Sequence, residues 1–332
     1  MKQYGRFIAL GGSILQKRRC AIALGLICTG AIGCGKAVAQ VQQFDRFTDW
    51  CENREELSEA ARYTVEVLLE EVETLDCQIA HVQLVDAIRL DLNGNQIADV
   101  GPLSSLTNLR ALDLGGNQIT DVSGLSSLTD LTWLDLNGNQ ITDVSGLSSL
   151  TNLTLLDLGG NQITDVSGLS SLTDVIRLDL GGNQITDIRP LSSLTDLTWF
   201  DLNGNQITDI RPLWSLTDLT WLDLNGNQIT DVSGLSSLTN LRSIYLGGNQ
   251  IADVSPLSSL TDLIQLSLWG NQIADVFPLS SLRGLAWFDL NDNQIADVSG
   301  LSSLTNLVSL DLSGNQIADR TCPVKPQSIC QF

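Results

Sequence analysis

Histidine, methionine and basic side chains are scarce in this sequence. Its 332 residues include one histidine, one methionine, and 18 lysines and arginines against 38 acidic residues, which gives a net charge of −20. With a single histidine, His81, and no nucleophile motif, the chain lacks the usual means of acid–base or nucleophilic catalysis. We therefore predict that the protein is not an enzyme, and no cofactor or metal is expected. Its acidic surface would repel nucleic acid and anionic lipid, so neither is an expected partner.

The sequence also lacks an apolar run that is long enough for a convincing membrane span. The run Ala21–Ile32 is short and rich in glycine, follows three basic residues, and precedes an Ala-Val-Ala sequence at 37–39. This arrangement is typical of a secretory signal peptide, here residues 1–39, with cleavage before Gln40. We predict an exported protein, either secreted or held in the periplasm or at the cell surface. A lipoprotein anchored through Cys34 is the alternative, because the preceding Ala-Ile-Gly resembles a lipobox.

What the sequence has in abundance is a repeat of 22 residues. The unit Leu109–Asp130 reads LRALDLGGNQITDVSGLSSLTD, and its Asn-Gln-Ile recurs eleven times at fixed spacing from Asn95 to Asn315. A fixed period of this length is the signature of a solenoid, in which each repeat packs only on its neighbours. Counting Leu109 as position 1, the apolar positions are 1, 4, 6, 11, 14, 17 and 20. Positions 2–6 alternate as in a strand, and the remaining return is too short for an α-helix with its turns, so 3₁₀ or extended segments are expected there.

The apolar and asparagine positions of the unit also carry a family resemblance. The pattern L-x-x-L-x-L-x-x-N-x-I, seen at Leu109, Leu112, Leu114, Asn117 and Ile119, resembles the leucine-rich repeat. The motif NQITD-x-x-x-L, in which three residues separate the aspartate from the leucine, is similar to the repeats of exported bacterial proteins of the internalin type. The resemblance implies an α/β solenoid: a horseshoe or arc with a parallel β-sheet on its concave side and 3₁₀ or extended segments on its convex side. It also implies a rigid scaffold that binds a protein through the concave face.

The segments that flank the array lose the repeat pattern, and we predict that they are caps. Residues 40–86 are expected to form a helical N-terminal cap, 87–319 the eleven repeats, and 320–332 a C-terminal cap. A cap is needed at each end because the terminal repeat has no neighbour to cover its leucine face. In the N-terminal cap, Ser58 is the predicted N-cap of the second helix, and a short third helix is expected around Cys77–Leu84.

Four cysteines remain after the predicted cleavage, and two lie in each cap. Crosslinks between the two ends of an elongated solenoid are geometrically implausible. We therefore expect the local disulfides Cys51–Cys77 and Cys322–Cys330. A metal site is the alternative, but the cysteine spacing lacks paired short knuckles.

Three polar columns run through the repeats. The asparagine at position 9 is expected to bond neighbouring turns and form a ladder, and the aspartate at position 13 to accept backbone N–H bonds from the turn that follows it. Calcium binding is the alternative for position 13. Position 5 is aspartate in nine copies and points outward, where like charges on adjacent strands repel. We expect that this column adds nothing to stability, and either reflects copying of the repeat or attracts a cationic or polyhydroxyl ligand.

The outward-facing residues depart from the repeat mostly in its second half. Tryptophan appears at position 3, position 5 changes to tyrosine and then serine, and position 7 becomes tryptophan. We predict that these aromatics form a continuous band with polar neighbours, and that this band is the ligand site, because exposed aromatic side chains dominate interface hot spots. The predicted site comprises Trp199, Asp201, Trp221, Asp223, Tyr245, Gln265, Ser267, Trp269, Trp287 and Asp289.

The predicted function is that of an exported, monomeric scaffold whose acidic, tryptophan-bearing concave face recognises a partner protein. The negative charge makes a basic protein one candidate partner. Glycan binding is the first alternative, because tryptophan beside aspartate and asparagine also holds sugars. A purely structural envelope protein is the second.

Overall fold

One parallel β-sheet runs along the whole repeat array. In the computed structural model, which describes residues 44–332, each strand pairs only with the strands of the preceding and following repeats. The strands are β1 (Arg89–Asp91), β2 (Ala111–Asp113), β3 (Trp133–Asp135), β4 (Leu155–Asp157), β5 (Arg177–Asp179), β6 (Trp199–Asp201), β7 (Trp221–Asp223), β8 (Ser243–Tyr245), β9 (Gln265–Ser267), β10 (Trp287–Asp289), β11 (Ser309–Asp311) and β12 (Cys330–Gln331). The predicted leucine-rich repeat solenoid is confirmed. The predicted signal peptide and the alternative lipid anchor at Cys34 lie outside the described residues.

Each strand comprises positions 3, 4 and 5 of a repeat, where buried and outward-facing side chains alternate. Position 4 is buried in every repeat, and positions 3 and 5 lie on the open side of the sheet, which we call the sheet face. The register is uniform, so equal positions of adjacent repeats are paired, as in Asp157↔Asp179. Strands of three residues are shorter than the predicted span of positions 2–6. The twelfth strand was not expected from the sequence, since Cys330 lies outside the repeat pattern but pairs with Leu310.

The return side of each of the first ten repeats contains one short 3₁₀ segment. The seven predicted apolar positions are buried in nearly every repeat, as Leu109, Leu112 and Ile119 are, and they form one continuous core from cap to cap. The 3₁₀ segments are Arg54–Glu56 in the N-terminal cap, Gly101–Leu103, Ser123–Leu125, Ser145–Leu147, Ser167–Leu169, Arg189–Ser193, Arg211–Ser215, Ser233–Leu235, Ser255–Ser259, Phe277–Ser281, Ser299–Ser303, and Gln327–Ile329 in the C-terminal cap. The predicted 3₁₀ return is confirmed.

The position-9 asparagines form the expected ladder. Oδ1 of Asn139 accepts the backbone N–H of Ile119 in the preceding repeat at 2.9 Å. Its Nδ2 donates to the carbonyls of Leu114 and Leu136, each at 3.0 Å. A buried amide thus has partners for its donors and its acceptor, and each asparagine joins two consecutive turns.

Both ends of the array are closed by disulfide-bonded caps. The N-terminal cap contains α1 (Phe47–Glu52), α2 (Glu59–Glu71) and α3 (Cys77–Val85), with Ser58 capping α2 as predicted. The hydroxyl of Thr64 in α2 donates to the carbonyl of Asp99 at 2.6 Å, which fixes the cap to the first repeat. The predicted disulfides Cys51–Cys77 and Cys322–Cys330 are both formed. Within residues 44–332, no helix has the length and apolar character needed to cross a membrane.

Candidate functional site

The sheet face carries a stack of side chains that begins with an arginine. The guanidinium Cζ of Arg177 lies 3.8 Å from the ring centroid of Trp199. The rings of Trp199 and Trp221 are nearly parallel, 5° apart in orientation, with centroids separated by 4.3 Å. Tyr245 follows at 5.5 Å from Trp221, tilted by 50°. We call these four residues the aromatic stack.

The aromatic stack arises from the parallel register. Arg177, Trp199 and Trp221 occupy position 3 of consecutive strands, so their side chains stand one strand apart, a spacing that suits ring stacking. The faces of the Trp199 ring are therefore covered by its two neighbours. Arg177 is not among the site residues predicted from the sequence. An arginine exactly one repeat before a tryptophan was the signal that could have found it.

Polar contacts hold Tyr245 at the end of the aromatic stack, and a glycine makes room for Trp269 in the next repeat. The Tyr245 hydroxyl and the Ser243 hydroxyl both donate to Oε1 of Gln265, each at 2.9 Å. The Trp269 indole lies over the backbone of Gly247, where a side chain would occupy the same space as the indole. The Trp269 side chain can therefore adopt this position only because residue 247, one repeat earlier, is a glycine.

A cavity of about 410 Å³ opens on the sheet face over β8–β11, and we call it the aromatic pocket. Its aromatic walls are Tyr245, Trp269 and Trp287, with Gln265 and Ser267 between them. The other lining residues are Asn225, Leu266, Phe288, Asp289, Ser309 and Asp311. The volume lies within the range of about 300–1,000 Å³ that is typical of ligand sites.

The predicted site residues therefore fall into two groups, which share Tyr245, rather than one continuous band. Tyr245, Gln265, Ser267, Trp269, Trp287 and Asp289 line the aromatic pocket. Trp199 and Trp221 belong to the stack, with Asp201 and Asp223 on the same two strands. Neither Trp269 nor Trp287 stacks on another ring in the part of the chain that the structure describes. The band is interrupted because Trp269 comes from position 7 and turns toward Gly247 instead of along the column.

The sheet-face aspartates have a structural role, and the expectation that they add nothing to stability is wrong. In all nine, Oδ1 accepts the backbone N–H of the residue two positions on, at 2.8 to 3.2 Å. For example, Oδ1 of Asp201 accepts hydrogen bonds from both the backbone N–H and the side-chain Nδ2 of Asn203. Each carboxylate thus closes the turn that leaves its strand. Where Tyr245 replaces the aspartate, Oδ1 of Asn225 accepts the N–H of Gly247 instead, at 2.6 Å.

Four of these carboxylates are nevertheless costly to ionise, because burial raises the pKa of Asp135, Asp157, Asp179 and Asp223. Burial raises the pKa of Asp179 to about 6; the hydrogen bond from Gly181 opposes this rise, and the charges of Asp157 and Asp201 add to it. Burial likewise raises the pKa of Asp223 to about 6, with a further contribution from Asp201. The aromatic pocket lies where the column is interrupted, since β8 and β9 carry Tyr245 and Ser267 at position 5.

The remaining candidate features lie apart from the aromatic pocket. A smaller cavity of about 170 Å³ is lined by Trp133, Arg177 and three aspartates on β3–β5. Trp214 and Phe277 are exposed on the return side. The position-13 aspartates accept backbone N–H bonds as predicted, as Asp121 does from Ser123 at 2.8 Å. No set of three or more His, Cys, Asp or Glu side chains within residues 44–332 is arranged to hold a metal ion.

Comparison with known proteins places this geometry in a family. The family model "Leucine Rich repeats (2 copies)" matches residues 88–127, 129–171, 173–213, 197–237, 217–259, 239–284 and 283–319. No curated protein sequence matches the chain. Among solved structures, an internalin (InlF) of Listeria monocytogenes is 33% identical, with a TM-score of 0.63, over 77% of this chain and 90% of that one.

Two further structures are similar to this chain. Internalin C2 of Listeria monocytogenes is 29% identical, with a TM-score of 0.53, over 76% of this chain and 92% of that one. A plant peptide hormone receptor, RGFR1 in complex with RGF2, shares the fold at 22% identity and a TM-score of 0.58, over 65% of this chain and 38% of that one. The chain belongs to the leucine-rich repeat family, and its array is internalin-like.

Proposed function

We propose that this protein is an exported scaffold that binds a partner protein through its sheet face, with the aromatic pocket as the centre of the interface. Leucine-rich repeat proteins of this kind are generally non-enzymatic scaffolds that mediate protein–protein interaction. The aromatic pocket is the observation that supports the proposal most. Trp269 is 39% and Trp287 48% exposed, although both lie beside a cavity that a partner side chain would fill.

Export is supported by the two disulfides and by the internalin-like array. Disulfides persist in oxidising compartments and are rare in the cytosol, and both bonds here tie a cap to itself. The basic and apolar segment before Gln40 is consistent with secretion. We place the protein outside the cytoplasm, where a partner protein would meet the sheet face.

A glycan remains the second candidate, but the aromatic stack argues against an extended sugar platform. Sugars stack on open ring faces, and the faces of Trp199 are covered by Arg177 and Trp221. Trp287 is the one tryptophan of position 3 that is more than a third exposed. A long glycan would therefore find open rings only at the aromatic pocket, where Trp269 and Trp287 lie, and no row of open rings along the sheet.

Affinity capture from native extracts or medium tests the proposal, with Trp287→Ala as the site variant and Trp214→Ala as its matched control. Both residues are exposed tryptophans, but Trp214 lies on the return side. Truncating a hot-spot aromatic costs about 2 kcal/mol, so Trp287→Ala should weaken capture about 30-fold while Trp214→Ala leaves it unchanged. Circular dichroism confirms that each variant is folded.

The outcome also separates the candidate functions. Binding to a basic protein should weaken strongly as salt is raised from 50 to about 500 mM, whereas sugar stacking should not. Equal capture by the two tryptophan variants would contradict the proposed face. Capture of a polysaccharide with little salt dependence would favour the glycan function.

A further inference from the structure

The tryptophans at position 3 of the strands differ in what covers their rings. Trp133 has the guanidinium of Arg89 at 5.3 Å from its centroid, reaching across the small side chain of Ala111. Trp199 has Arg177 at 3.8 Å, and Trp221 lies between Trp199 and Tyr245. Trp287 is flanked on its two neighbouring strands by Gln265 and Ser309, which offer neither a ring nor a cation.

Two pairs of strands make this difference a matched comparison. Strands β6 and β10 have the same sequence, Trp-Phe-Asp, and in both the phenylalanine is buried in the core. The strand before β6 supplies Arg177 at position 3, whereas the strand before β10 supplies Gln265. The aromatic pocket lies beside Trp287, at a position that corresponds to the one that Arg177 occupies beside Trp199.

In the described part of the chain, the carboxylates of the pocket also have no cationic partner. Oδ1 of Asp289 accepts from Asn291, and Oδ1 of Asp311 accepts from Ser313. Within residues 44–332, Oδ2 of either residue accepts no hydrogen bond, and neither carboxylate takes part in an ion pair. A planar guanidinium stacks on an indole and has five hydrogen-bond donors. It could therefore cover the ring of Trp287 and donate to the carboxylates of Asp289 and Asp311 at the same time.

We propose that the aromatic pocket binds an arginine side chain of the partner protein, with the guanidinium over Trp287 and facing Asp289 and Asp311. This inference rests on the proposed function and specifies the chemistry of the partner. The chain itself shows the geometry, since Arg177 on Trp199 is the same contact made within one molecule. The net charge of −20 favours approach of a cationic partner surface.

Small peptides test the inference without knowledge of the partner. Acetyl-Gly-Arg-Gly-amide is titrated onto the full chain by ligand-observed NMR, beside the same peptides with citrulline or lysine in place of arginine. Citrulline keeps the shape of arginine without the charge, and lysine keeps the charge without the plane. The arginine peptide should bind at least tenfold more tightly than the citrulline peptide, and more tightly than the lysine peptide.

Two reciprocal variants exploit the matched strands. Gln265→Arg places an arginine one strand before Trp287, as Arg177 precedes Trp199, so it should fill the pocket and lower affinity for the arginine peptide at least tenfold. Arg177→Gln removes the intramolecular guanidinium and should create a second binding site, which is read as a doubled stoichiometry. Both substitutions lie on the sheet face, and circular dichroism checks the fold.

Several results would overturn the inference. The first is that the citrulline or the lysine peptide binds as tightly as the arginine peptide. The second is that Gln265→Arg leaves the affinity for the arginine peptide unchanged. The chain that begins at Gln40 is titrated in parallel; if it alone bound the peptide, the occupant would be the basic N-terminal segment and not a partner. Loss of protein capture in Trp287→Ala without any preference for the arginine peptide would refute the arginine but leave the proposed face intact.

Discussion

Two columns of aspartate run along the array, and burial in one column and hydrogen bonds from arginine in the other shift their pKa values in opposite directions. In both columns Oδ1 accepts the backbone N–H of the residue two positions on, as in Asp223 with Asn225 on the sheet face and Asp209 with Arg211 on the return side. Burial raises the pKa of Asp223 to about 6. The Arg211 side chain, with its hydrogen bonds to the exposed carboxylate, lowers the pKa of Asp209 to about 2. The same local turn is therefore electrostatically stabilising on one side of the repeat and costly on the other.

The difference has a functional meaning. Burial raises the pKa of a carboxyl because water no longer solvates its charged form. A cation that approaches the carboxylate stabilises the charge in place of that water and lowers the pKa again. The return-side column already has Arg189 and Arg211 paired with Asp187 and Asp209. On the sheet face, an external cationic partner would supply that relief. The comparison thus favours the sheet face over the return side as the binding surface.

The largest expected effect comes from removing a turn-closing carboxylate where water cannot replace it. Asp201 is 9% exposed and accepts two hydrogen bonds from Asn203. Asp201→Ala should lower the free energy of unfolding by about 2 kcal/mol, because the N–H of Asn203 loses its partner. Asp209→Ala on the exposed return side should cost clearly less. Urea unfolding followed by circular dichroism measures both, and equal losses would show that burial does not separate the two columns.

A smaller effect of opposite sign is expected from Asp223→Asn. The amide keeps the Oδ1 acceptor but removes a charge whose folded pKa, about 6, lies above the unfolded value of 3.8. Such a carboxyl favours the folded state below about pH 4, and this contribution is lost as the pH rises through 6. A rise of about two pKa units corresponds to about 3 kcal/mol. Because solvent screens the charge at this half-buried site, we expect Asp223→Asn to raise the free energy of unfolding at pH 7 by about 1 kcal/mol.

The pH dependence of this gain has a matched control in Asp209→Asn. The folded pKa of Asp209, about 2, is below 3.8, so its carboxylate stabilises the fold above pH 4 and this contribution is lost as the pH falls through 2. Thermal unfolding at pH 4 and pH 7 should therefore show Asp223→Asn stabilising at pH 7 only, and Asp209→Asn destabilising at pH 7. A gain for Asp223→Asn that persists unchanged at pH 4 would contradict the electrostatic cause.

The sequence predicts the scaffold well because its determinants are local or periodic. A period of 22 residues identifies the seven core positions, the Asn139-type ladder and the turn aspartates, and the cap cysteines pair locally. The turn role of the sheet-face aspartates was predictable too, since Asp201 stands two residues before Asn203 just as Asp209 stands two before Arg211. The grouping of the aromatic residues was harder to predict from the sequence, because it depends on the direction of each side chain. Trp269 turns onto Gly247, and Arg177 reaches the ring face of Trp199.

The smallest effect is expected from restoring the aspartate column where it is interrupted. Tyr245 is paired in register with Asp223, so Tyr245→Asp would place a carboxylate one strand from a group that is already costly to ionise. The turn itself should change little, because Asn225 already accepts the N–H of Gly247. We expect a loss of about 0.5 kcal/mol at pH 7, which shrinks at pH 4 as the pair is protonated. Tyr245→Phe, which keeps the ring without its hydroxyl, is the control for the lost hydrogen bond to Gln265. A loss in Tyr245→Asp that matches the control at both pH values would mean that the interruption serves the pocket alone and does nothing for the charge of the sheet face.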